Sequence, residues 1–284
     1  MDYEIPDIEG LSDYSIQEQL KNEENTKRTL ITPVIEKCWN DTSHDKILME
    51  YYFTDGRISI DEYQIAHRGK PKKVDYLLLY YHNIPLALVE AKGEDHQADE
   101  GFQQAKEYAR ALDVPFAYAT NGIILIEIDM LCGLNKMMKM TDFPTMEVLW
   151  ERFRKEKGLT NSVEDTLTFP YYQTPTGKVP RYYQRIAINR TVEAIAKGQN
   201  RILLVMATGT GKTFTAFQII HRFWKTQQKK KILFIVDRNI LIDQTMRKDF
   251  QPFANAMIKI DNKNLDTAHE IYLGLYQQLK NEEH

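Results

Sequence analysis

Residues 205–213 read VMATGTGKT and decide the fold of the second half of the chain. They lie between the apolar segment Ile202–Met206, predicted to be a buried strand, and a predicted helix over Lys212–Lys225. Glycines in such a turn let successive backbone N–H groups and the helix N-terminus point at one anion. The pattern therefore predicts a phosphate-binding loop, with the Lys212 ammonium on the β- and γ-phosphates and the Thr213 hydroxyl on Mg²⁺. The predicted nucleotide-binding residues of this loop are Thr208, Gly209, Thr210, Gly211, Lys212 and Thr213.

The segments on either side of the loop continue the same alternation. A helix is predicted upstream, over Tyr182–Lys197, and a second buried strand downstream, over Ile232–Val236. Apolar strands that alternate with helices indicate a parallel sheet covered on both faces. The second half is therefore expected to be an α/β domain.

Three stretches of this half resemble superfamily-2 helicase motors. The loop fits the form Ala-x-x-Gly-x-Gly-Lys-Thr of those motors, although Met206 stands where the strict phosphate-loop pattern has glycine. The sequence PRYYQRIAI, which contains Arg181 and Gln184, resembles the Q motif. That resemblance implies that Gln184, with Arg181 nearby, reads the adenine of ATP. Residues 232–244 resemble motif Ia, which implies a contact with the DNA backbone near Arg238; alternatively, this part of the chain only caps the next helix.

The first half is predicted to be a smaller α/β unit with a mixed sheet. A helix over Thr26–Trp39 carries an apolar stripe at four-residue spacing, formed by Leu30, Val34 and Cys38. The dipeptide Asn121-Gly122 is a strong turn signal and predicts a hairpin. A second helix is predicted over Asp99–Leu112. The predicted strands are Ile47–Phe53, Val74–Tyr81, Leu86–Lys92, Phe116–Thr120 and Ile123–Ile128.

Two carboxylates and a lysine lie on two of these strands. If residues 82–83 form a hairpin turn, paired positions have a constant sum of 165, which sets Asp75 opposite Glu90; a loop of odd length would shift this register. Opposed Cβ atoms are about 4.5–5.5 Å apart, and two carboxylates that close repel unless a cation lies between them. Lys92 projects from the same face as Glu90. The set suits Mg²⁺-assisted phosphodiester hydrolysis; the alternative is a surface salt bridge, Glu90–Lys92 or Asp75–Lys73.

The same pattern resembles the PD-(D/E)xK nucleases, with Val74 in the place of the family's proline. Gln104 and Tyr108, at i and i+4 on one helix face, resemble the Gln-x-x-x-Tyr motif of a subset of those nucleases. Many such nucleases also place an acid on the first helix, where this chain has Glu36. The resemblance implies that the catalytic residues are Asp75, Glu90, Lys92, Gln104 and Tyr108. The metal ligands that it implies are Asp75, Glu90 and Glu36.

The 284 residues divide into an acidic half and a basic half. Residues 1–150 hold 15 Lys and Arg against 27 Asp and Glu, a net charge of −12, whereas residues 151–284 hold 22 against 13, a net charge of +9. A basic half can bind a polyanion such as DNA without an overall basic isoelectric point. The predicted organisation is a nuclease-like domain over 1–150, a linker over 151–178 and a motor domain over 179–284.

Several classes of protein are not expected. No apolar run approaches the roughly 20 residues that a membrane span needs. The N-terminus is acidic and lacks the features of a signal peptide. Cys38 and Cys132 are too far apart for a metal-type spacing and are predicted to be small buried side chains. A cytoplasmic protein without membrane partners is expected.

Taken in order, four stretches resemble the R (restriction and translocation) subunit of type I restriction-modification enzymes. They are residues 28–33, 89–92, 119–122 and 206–213, and the resemblance runs from about residue 26 onward. It implies a mixed-sheet, restriction-endonuclease-like α/β domain followed by a parallel-sheet RecA-like motor lobe. It also implies Mg²⁺ and ATP as cofactors, double-stranded DNA as substrate, and the methyltransferase and specificity subunits of the same complex as partners.

The resemblance is incomplete at the second acidic motif of such motors. No segment of the Asp-Glu-x-His type follows Asp237, so the first motor lobe is expected to be partial and this chain alone is not expected to translocate DNA. Three alternatives remain open. They are a different nuclease–helicase fusion in DNA defence or repair, an ATP-dependent motor with an inactive N-terminal domain, and a non-enzymatic DNA-binding or scaffold module.

Overall fold

A computed structural model describes most of the chain as two compact units. The units are Met1–Gly158 and Leu159–His284. The division falls within the predicted linker 151–178, eight residues after the predicted end of the first domain. The described residues are 22–39, 45–54, 58–60, 66–68, 71–81, 83–93, 96–173, 177–260 and 267–277.

The first helix, α1, is continuous but changes geometry along its length. It begins as an α-helix over Glu23–Thr26, passes through a π-helical stretch over Lys27–Ile31, and continues as an α-helix over Thr32–Trp39. The Asn22 side chain caps its first turn by accepting a hydrogen bond from the Glu24 amide. The buried stripe is not the predicted one, because Leu30, Val34 and Cys38 are only half-buried. The residues that face the core are Lys27, Ile31, Ile35 and Trp39.

A six-stranded mixed sheet forms the core of the first unit. Its strands lie in the order β1-β4-β5-β6-β7-β8, and only the β5–β6 pair is parallel. A separate two-stranded antiparallel ribbon is formed by β2 and β3. The predicted mixed sheet is therefore confirmed. The strand bounds are β1 Ile47–Phe53, β2 Ile58–Ile60, β3 Ala66–Arg68, β4 Lys72–Tyr80, β5 Ile84–Ala91, β6 Phe116–Thr120, β7 Ile124–Asp129 and β8 Asn135–Lys139.

The connection between β4 and β5 differs from the predicted two-residue turn, yet the predicted register holds. The strands end at Tyr80 and resume at Ile84, so three residues connect them. A register shift between Leu78 and Leu79 compensates for the odd length. Beyond that shift the pairs again have the predicted sum, as in Tyr76 opposite Val89.

The helical segments after β5 cover and extend this sheet. A short 3₁₀ stretch over Ala98–Gly101 leads into α2, Phe102–Leu112, which packs on β5 and β6. After β8, a 3₁₀ turn over Met140–Asp142 precedes α3, Met146–Lys157. Arg152 of α3 ties this helix to the sheet, because its guanidinium is paired with buried carboxylates of β7 at 2.8 and 2.7 Å. Those carboxylates belong to Glu127 and Asp129.

The predicted linker contains more regular structure than its proline and glycine content suggested. The end of α3 occupies its first residues, and α4 follows over Asn161–Thr168. The Thr160 hydroxyl caps α4 by accepting a hydrogen bond from the Val163 amide. Among the described residues of this linker, the chain is irregular at 158–160, 169–173 and 177–178.

The second unit combines helices with a small parallel sheet. Strand β11 lies between β10 and β9, and both pairs are parallel. An aromatic cluster that includes Phe214, Phe217, Phe250 and Phe253 packs beside the sheet. The parallel sheet and the predicted helices are confirmed. The element bounds are α5 Tyr182–Ala196, α6 Lys212–Lys225, β9 Ile232–Val236, α7 Asn239–Arg247, a 3₁₀ stretch Gln251–Ala256, β10 Met257–Lys259 and β11 Ile271–Leu275.

The prediction of a buried strand over Ile202–Met206 is wrong. Residues 201–207 form no strand, and the side chains of Leu203 and Val205 are 85% and 87% exposed. A strand needs hydrogen-bonded neighbours, and in the described part of the second unit this segment is paired with none of the three strands of the sheet. Strand β9 is present as predicted but only half-buried.

The structure also bears on the predictions for the cysteines and for membrane-spanning segments. The prediction of two buried cysteines is wrong, because Cys132 is exposed on the turn before β8 and Cys38 is half-buried. No helix within the described ranges has both the length and the apolar character needed to cross a bilayer. The acidic segment over residues 1–21 lies outside the described residues.

Candidate functional site

Asp75 and Glu90 lie on adjacent strands of the first unit, as the register predicted. The pairing of Tyr76 with Val89 continues by one position to set Asp75 level with Glu90 on one face of the sheet. Asp75 is 7% exposed and Glu90 is 1% exposed. The Asp75 Oδ2 accepts a hydrogen bond of 2.8 Å from the Ala91 amide, which fixes the orientation of this carboxylate toward β5.

The environment of Glu90 disfavours a negative charge. Leu86 and Leu88 on the same strand are fully buried. Burial, and then the nearby charge of Asp75, raise the pKa of Glu90 to about 8, against the opposing effect of Lys92. The Glu90 Oε1 is buried and has no hydrogen-bond partner among the described residues. A buried carboxylate oxygen without a partner is costly unless a cation or proton satisfies it.

Lys92, Gln104 and Tyr108 lie near this pair to different degrees. Lys92 follows β5 directly, is half-buried, and its charge acts on Glu90. The Gln104 Nε2 donates to the Tyr108 hydroxyl at 3.2 Å, so the predicted pairing of these two residues on one face of α2 is confirmed. The contacts of Tyr108 include the Phe53 ring, at 5.0 Å between centroids. The assignment of all three residues to catalysis stays a prediction.

Sequence reasoning missed Lys27, which contacts Asp75 directly. Its Nζ lies 2.6 Å from the Asp75 Oδ1, and the residue is 7% exposed. Burial alone would lower the pKa of Lys27, but hydrogen bonds and charge from Asp75 and Glu23 outweigh burial and raise it. A lysine placed four residues before Ile31 on the apolar stripe of α1 was the available signal, because lysine is rarely buried without an anionic partner.

Glu36 does not join the carboxylate pair. It is exposed on α1, nine residues after Lys27. Glu36 follows Ile35, which shares the buried stripe of α1 with Lys27, so its side chain is turned by about 100° away from that stripe. The acid of α1 that contacts Lys27 is Glu23, whose Oε1 lies 3.0 Å from the Lys27 Nζ. The prediction of Glu36 as a ligand is thus not supported by its position.

The chemistry of the site fits a hard divalent cation. Two carboxylates level with each other, one with a buried unpartnered oxygen, provide the oxygen donors that Mg²⁺ prefers. No group of three or more acidic, histidine or cysteine side chains within the described ranges is arranged as a complete metal cage. Mg²⁺ commonly keeps several waters and takes only one or two carboxylates, so Asp75 and Glu90 are the residues that would hold it.

The phosphate loop of the second unit has the backbone geometry that its sequence predicted. Gly209 and Gly211 have φ angles of +78° and +83°, a region that favours glycine. Gly211 is the N-cap residue of α6, so the loop ends at a helix N-terminus. The Lys212 Nζ donates to the Met206 carbonyl at 3.0 Å and therefore lies folded over the loop. Thr213 is the second residue of α6, and Thr208 is exposed on the loop.

Gln184 connects the α5 helix to this loop. Its Nε2 donates to the Thr210 carbonyl at 2.8 Å, and its Oε1 accepts from the Arg181 amide at 2.9 Å. A Cβ at Gly211 would lie 2.5 Å from that Nε2, so a larger residue there would displace the amide end of the Gln184 side chain. The predicted proximity of Gln184, Arg181 and the loop is confirmed, whereas the reading of adenine by Gln184 stays a prediction.

In the region that resembles motif Ia, the structure gives no support to the capping interpretation, and the DNA contact near Arg238 stays a prediction. Arg238 is exposed at the N-cap position of α7, and its side chain makes no capping hydrogen bond. Of the aspartates that follow Asp237 and Asp243 in the sequence, Asp249 is half-buried, with the Lys178 ammonium 3.8 Å from its Oδ1. Asp261 and Asp266 lie outside the described residues.

Comparisons with known protein families agree with both halves of this description. Residues 44–144 match the family model of the type I restriction enzyme R protein N terminus, and residues 177–284 match that of the type III restriction enzyme res subunit. The chain belongs to the family of type I restriction enzyme R subunits.

Individual relatives support this assignment. The chain is 46% identical over 256 residues, which are 89% of its length, to the type I restriction enzyme EcoAI endonuclease subunit of Escherichia coli. A 66-residue stretch is 52% identical to the EcoKI endonuclease subunit of Escherichia coli K12 and covers 23% of this chain and 6% of that subunit. The fragment structure of a putative HsdR subunit from Vibrio vulnificus YJ016 superposes with a TM-score of 0.76 at 38% identity and covers 91% of this chain.

The chain corresponds to part of the length of these relatives. It spans 31% of the EcoAI subunit and 48% of the Vibrio vulnificus chain.

Proposed function

We propose that the first unit is a PD-(D/E)xK-type endonuclease domain that cleaves duplex DNA with Mg²⁺ held by Asp75 and Glu90. The observation that carries this proposal is the level placement of the two carboxylates, with a buried unpartnered oxygen on Glu90. An Mg²⁺ ion at such a site would polarise the scissile phosphate and lower the pKa of the attacking water. Asp75, oriented by the Ala91 amide, and Glu90 are the residues that would hold that ion. The Lys92 ammonium offsets charge on the phosphate and orients the attacking water.

Within the R subunit family, we further propose that the second unit is the front of a RecA-like motor lobe that binds ATP. In the assembled enzyme, ATP-driven translocation of DNA would be coupled to cleavage, with the methyltransferase and specificity subunits as partners. The second unit contributes the loop over residues 207–213 and its anchor Gln184. The basic charge of this half, +9 over residues 151–284, favours a DNA-facing role.

A plasmid-cleavage assay tests the nuclease proposal. Mg²⁺-dependent nicking by the chain should stop with a chelator and fall by about 100-fold or more in Asp75→Asn and in Lys92→Ala, because each change removes a group that acts on the transition state. Asp99→Asn and Lys136→Ala, at exposed positions of the same unit, are the matched controls and should cut like the parent chain. Nicking that survives in Asp75→Asn would contradict the proposed site, and a parent chain that does not nick would leave the first unit as an inert attachment to a motor.

A nucleotide titration tests the motor proposal independently. Lys212→Ala should weaken binding of a fluorescent ATP analogue by roughly 10- to 100-fold, because a hydrogen bond to a charged group contributes about 1.5–3 kcal/mol. Lys229→Ala, at an exposed position before β9, removes the same charge away from the loop and should leave the affinity unchanged. Equal affinities in the parent chain and Lys212→Ala would mean that the loop is only a structural turn.

A further inference from the structure

Three carboxylates from three different elements converge on one ammonium group next to the proposed metal site. The Lys27 Nζ lies 2.6 Å from the Asp75 Oδ1, 3.0 Å from the Glu23 Oε1 and 3.7 Å from the Glu50 Oε1. The acids come from β4, α1 and β1, and the Lys27 side chain is only 8% exposed. An ammonium surrounded in this way occupies the position that a cation ligated by these carboxylates would take.

Glu50 is held at this position by an unusual backbone conformation. It lies between the pairs Met49–Tyr76 and Tyr51–Val74, so it is level with Asp75 on the neighbouring strand. Its φ angle is +54°, in the left-handed region that residues other than glycine rarely adopt within a strand. Such outliers cluster at functional sites, where the surroundings enforce them. The Glu50 carboxylate is also paired with Lys73, which lowers its pKa and keeps it charged.

Asp75 therefore lies between two positions at which a positive charge would be stabilised. Its Oδ1 faces the Lys27 ammonium, whereas its Oδ2 accepts from Ala91 on the strand of Glu90. In nucleases with two metal ions, the ions lie about 3.5–4 Å apart and stabilise the attacking and leaving oxygens together. A carboxylate flanked on both sides in this way has the arrangement that would bridge such a pair of ions.

We propose that Lys27 is a positioning residue that takes the place of a second divalent cation, so that the site of Asp75 and Glu90 works with a single ion. The inference rests on the proposed nuclease function. The charges agree with it, because the carboxylates of Glu23, Glu50, Asp75 and Glu90 face the ammonium groups of Lys27, Lys73 and Lys92. One divalent ion already over-neutralises this set, and a second ion would be repelled by Lys27.

Counting bound Mn²⁺ ions on the full chain, by calorimetry or by electron paramagnetic resonance, tests this role without relying on activity. The parent chain should bind one ion per molecule. Lys27→Met keeps the length of the side chain but removes its charge, so Glu23, Glu50 and Asp75 should admit a second ion. Lys27→Arg keeps the charge and should restore a count of one. Lys73→Met is the matched control, because it removes the other ammonium paired with Glu50, which lies at a more exposed position than Lys27. This variant should also bind one ion.

The outcomes separate the failure of this inference from the failure of the proposed function. If the parent chain binds no ion, or only ions that Asp75→Asn also binds, the proposed metal site fails and the inference fails with it. If the parent chain binds one such ion and folded Lys27→Met still binds one, only the inference is overturned.

A second variant gives a result even if Lys27→Met does not fold. Glu23→Gln combined with Glu50→Gln changes two partly exposed side chains and leaves Lys27 in place. The single ion should remain, with an affinity within about threefold of the parent value, because those two carboxylates hold the ammonium rather than the metal. Loss of the ion in this double variant would show that they are metal ligands and would overturn the inference.

Discussion

Glu90→Gln is expected to abolish divalent metal binding and, without metal, to make the first unit more resistant to unfolding at alkaline pH. The pKa of Glu90 is raised from 4.5 to about 8 by burial and by Asp75. The folded protein therefore holds a proton that the unfolded chain releases, and the free energy of unfolding falls as the pH rises from about 4.5 to about 8. Glutamine carries no charge and escapes this penalty. One pKa unit corresponds to about 1.4 kcal/mol. Between pH 5 and pH 9, the free energy of unfolding of the variant should therefore rise by on the order of 4 kcal/mol relative to that of the parent chain.

Urea unfolding at several pH values, in a chelator and again in Mg²⁺, measures both parts of this prediction. In the chelator, the stability difference should move in favour of Glu90→Gln as the pH rises. In Mg²⁺ the advantage of Glu90→Gln at alkaline pH should shrink, because only the parent chain is stabilised by binding. Glu107→Gln, at an exposed position on α2, should follow the parent chain in both series. A stability difference that stays constant with pH would mean that Glu90 is charged in the folded protein at neutral pH.

The alignment of Asp75 with Glu90 could be predicted from the sequence because strand pairing obeys a simple rule. In an antiparallel pair the sum of paired positions is constant, so one turn position fixes every partner. The predicted turn was one residue too short, but the irregularity between Leu78 and Leu79 restored the sum at the site. Pro85, which is paired with Leu79 at the irregularity, was the available signal, because proline within a sheet is confined to edge strands, strand starts and bulges.

The surroundings of the pair could not be predicted, because they depend on contacts between distant elements. Lys27 reaches Asp75 across 48 positions of the chain, and Glu50 enters the cluster through a left-handed backbone that no local pattern announces. The family resemblance implies Glu36 on the same helix, but the residue of α1 that reaches the sheet is Lys27, with Glu23 beside it.

The segment before the phosphate loop shows a different limit. The composition of Ile202–Met206 is that of a buried strand, and its neighbours along the chain fold as predicted. Burial, however, requires paired strands on either side, which hydrophobicity alone does not provide. The loop and Lys212–Lys225 form without them, because the glycines and the helix are locally determined.

Gly122→Ala is expected to destabilise the first unit by about 2–5 kcal/mol through its contact with α1. Gly122 has a φ angle of +86°, and a Cβ there would lie 2.9 Å from both the Leu30 Cβ and the Thr26 Cγ2. A left-handed backbone costs an alanine about 1–2 kcal/mol, and overpacking of this kind costs about 1–3 kcal/mol more. Both obstructing atoms are close to the helix backbone, so α1 itself must shift rather than a flexible side chain.

Gly133→Ala separates the two contributions, because Gly133 has a similar φ angle of +77° but no atom within 4 Å of its Cβ position. Urea unfolding should show only the backbone cost in Gly133→Ala and the full cost in Gly122→Ala. Equal losses would mean that α1 does not pack on the turn as described. Since Lys27 is one residue beyond Thr26 on that helix, a shifted α1 should also pull the ammonium away from Asp75. Gly122→Ala should therefore alter Mn²⁺ binding at Asp75 and Glu90, whereas Gly133→Ala should leave it unchanged.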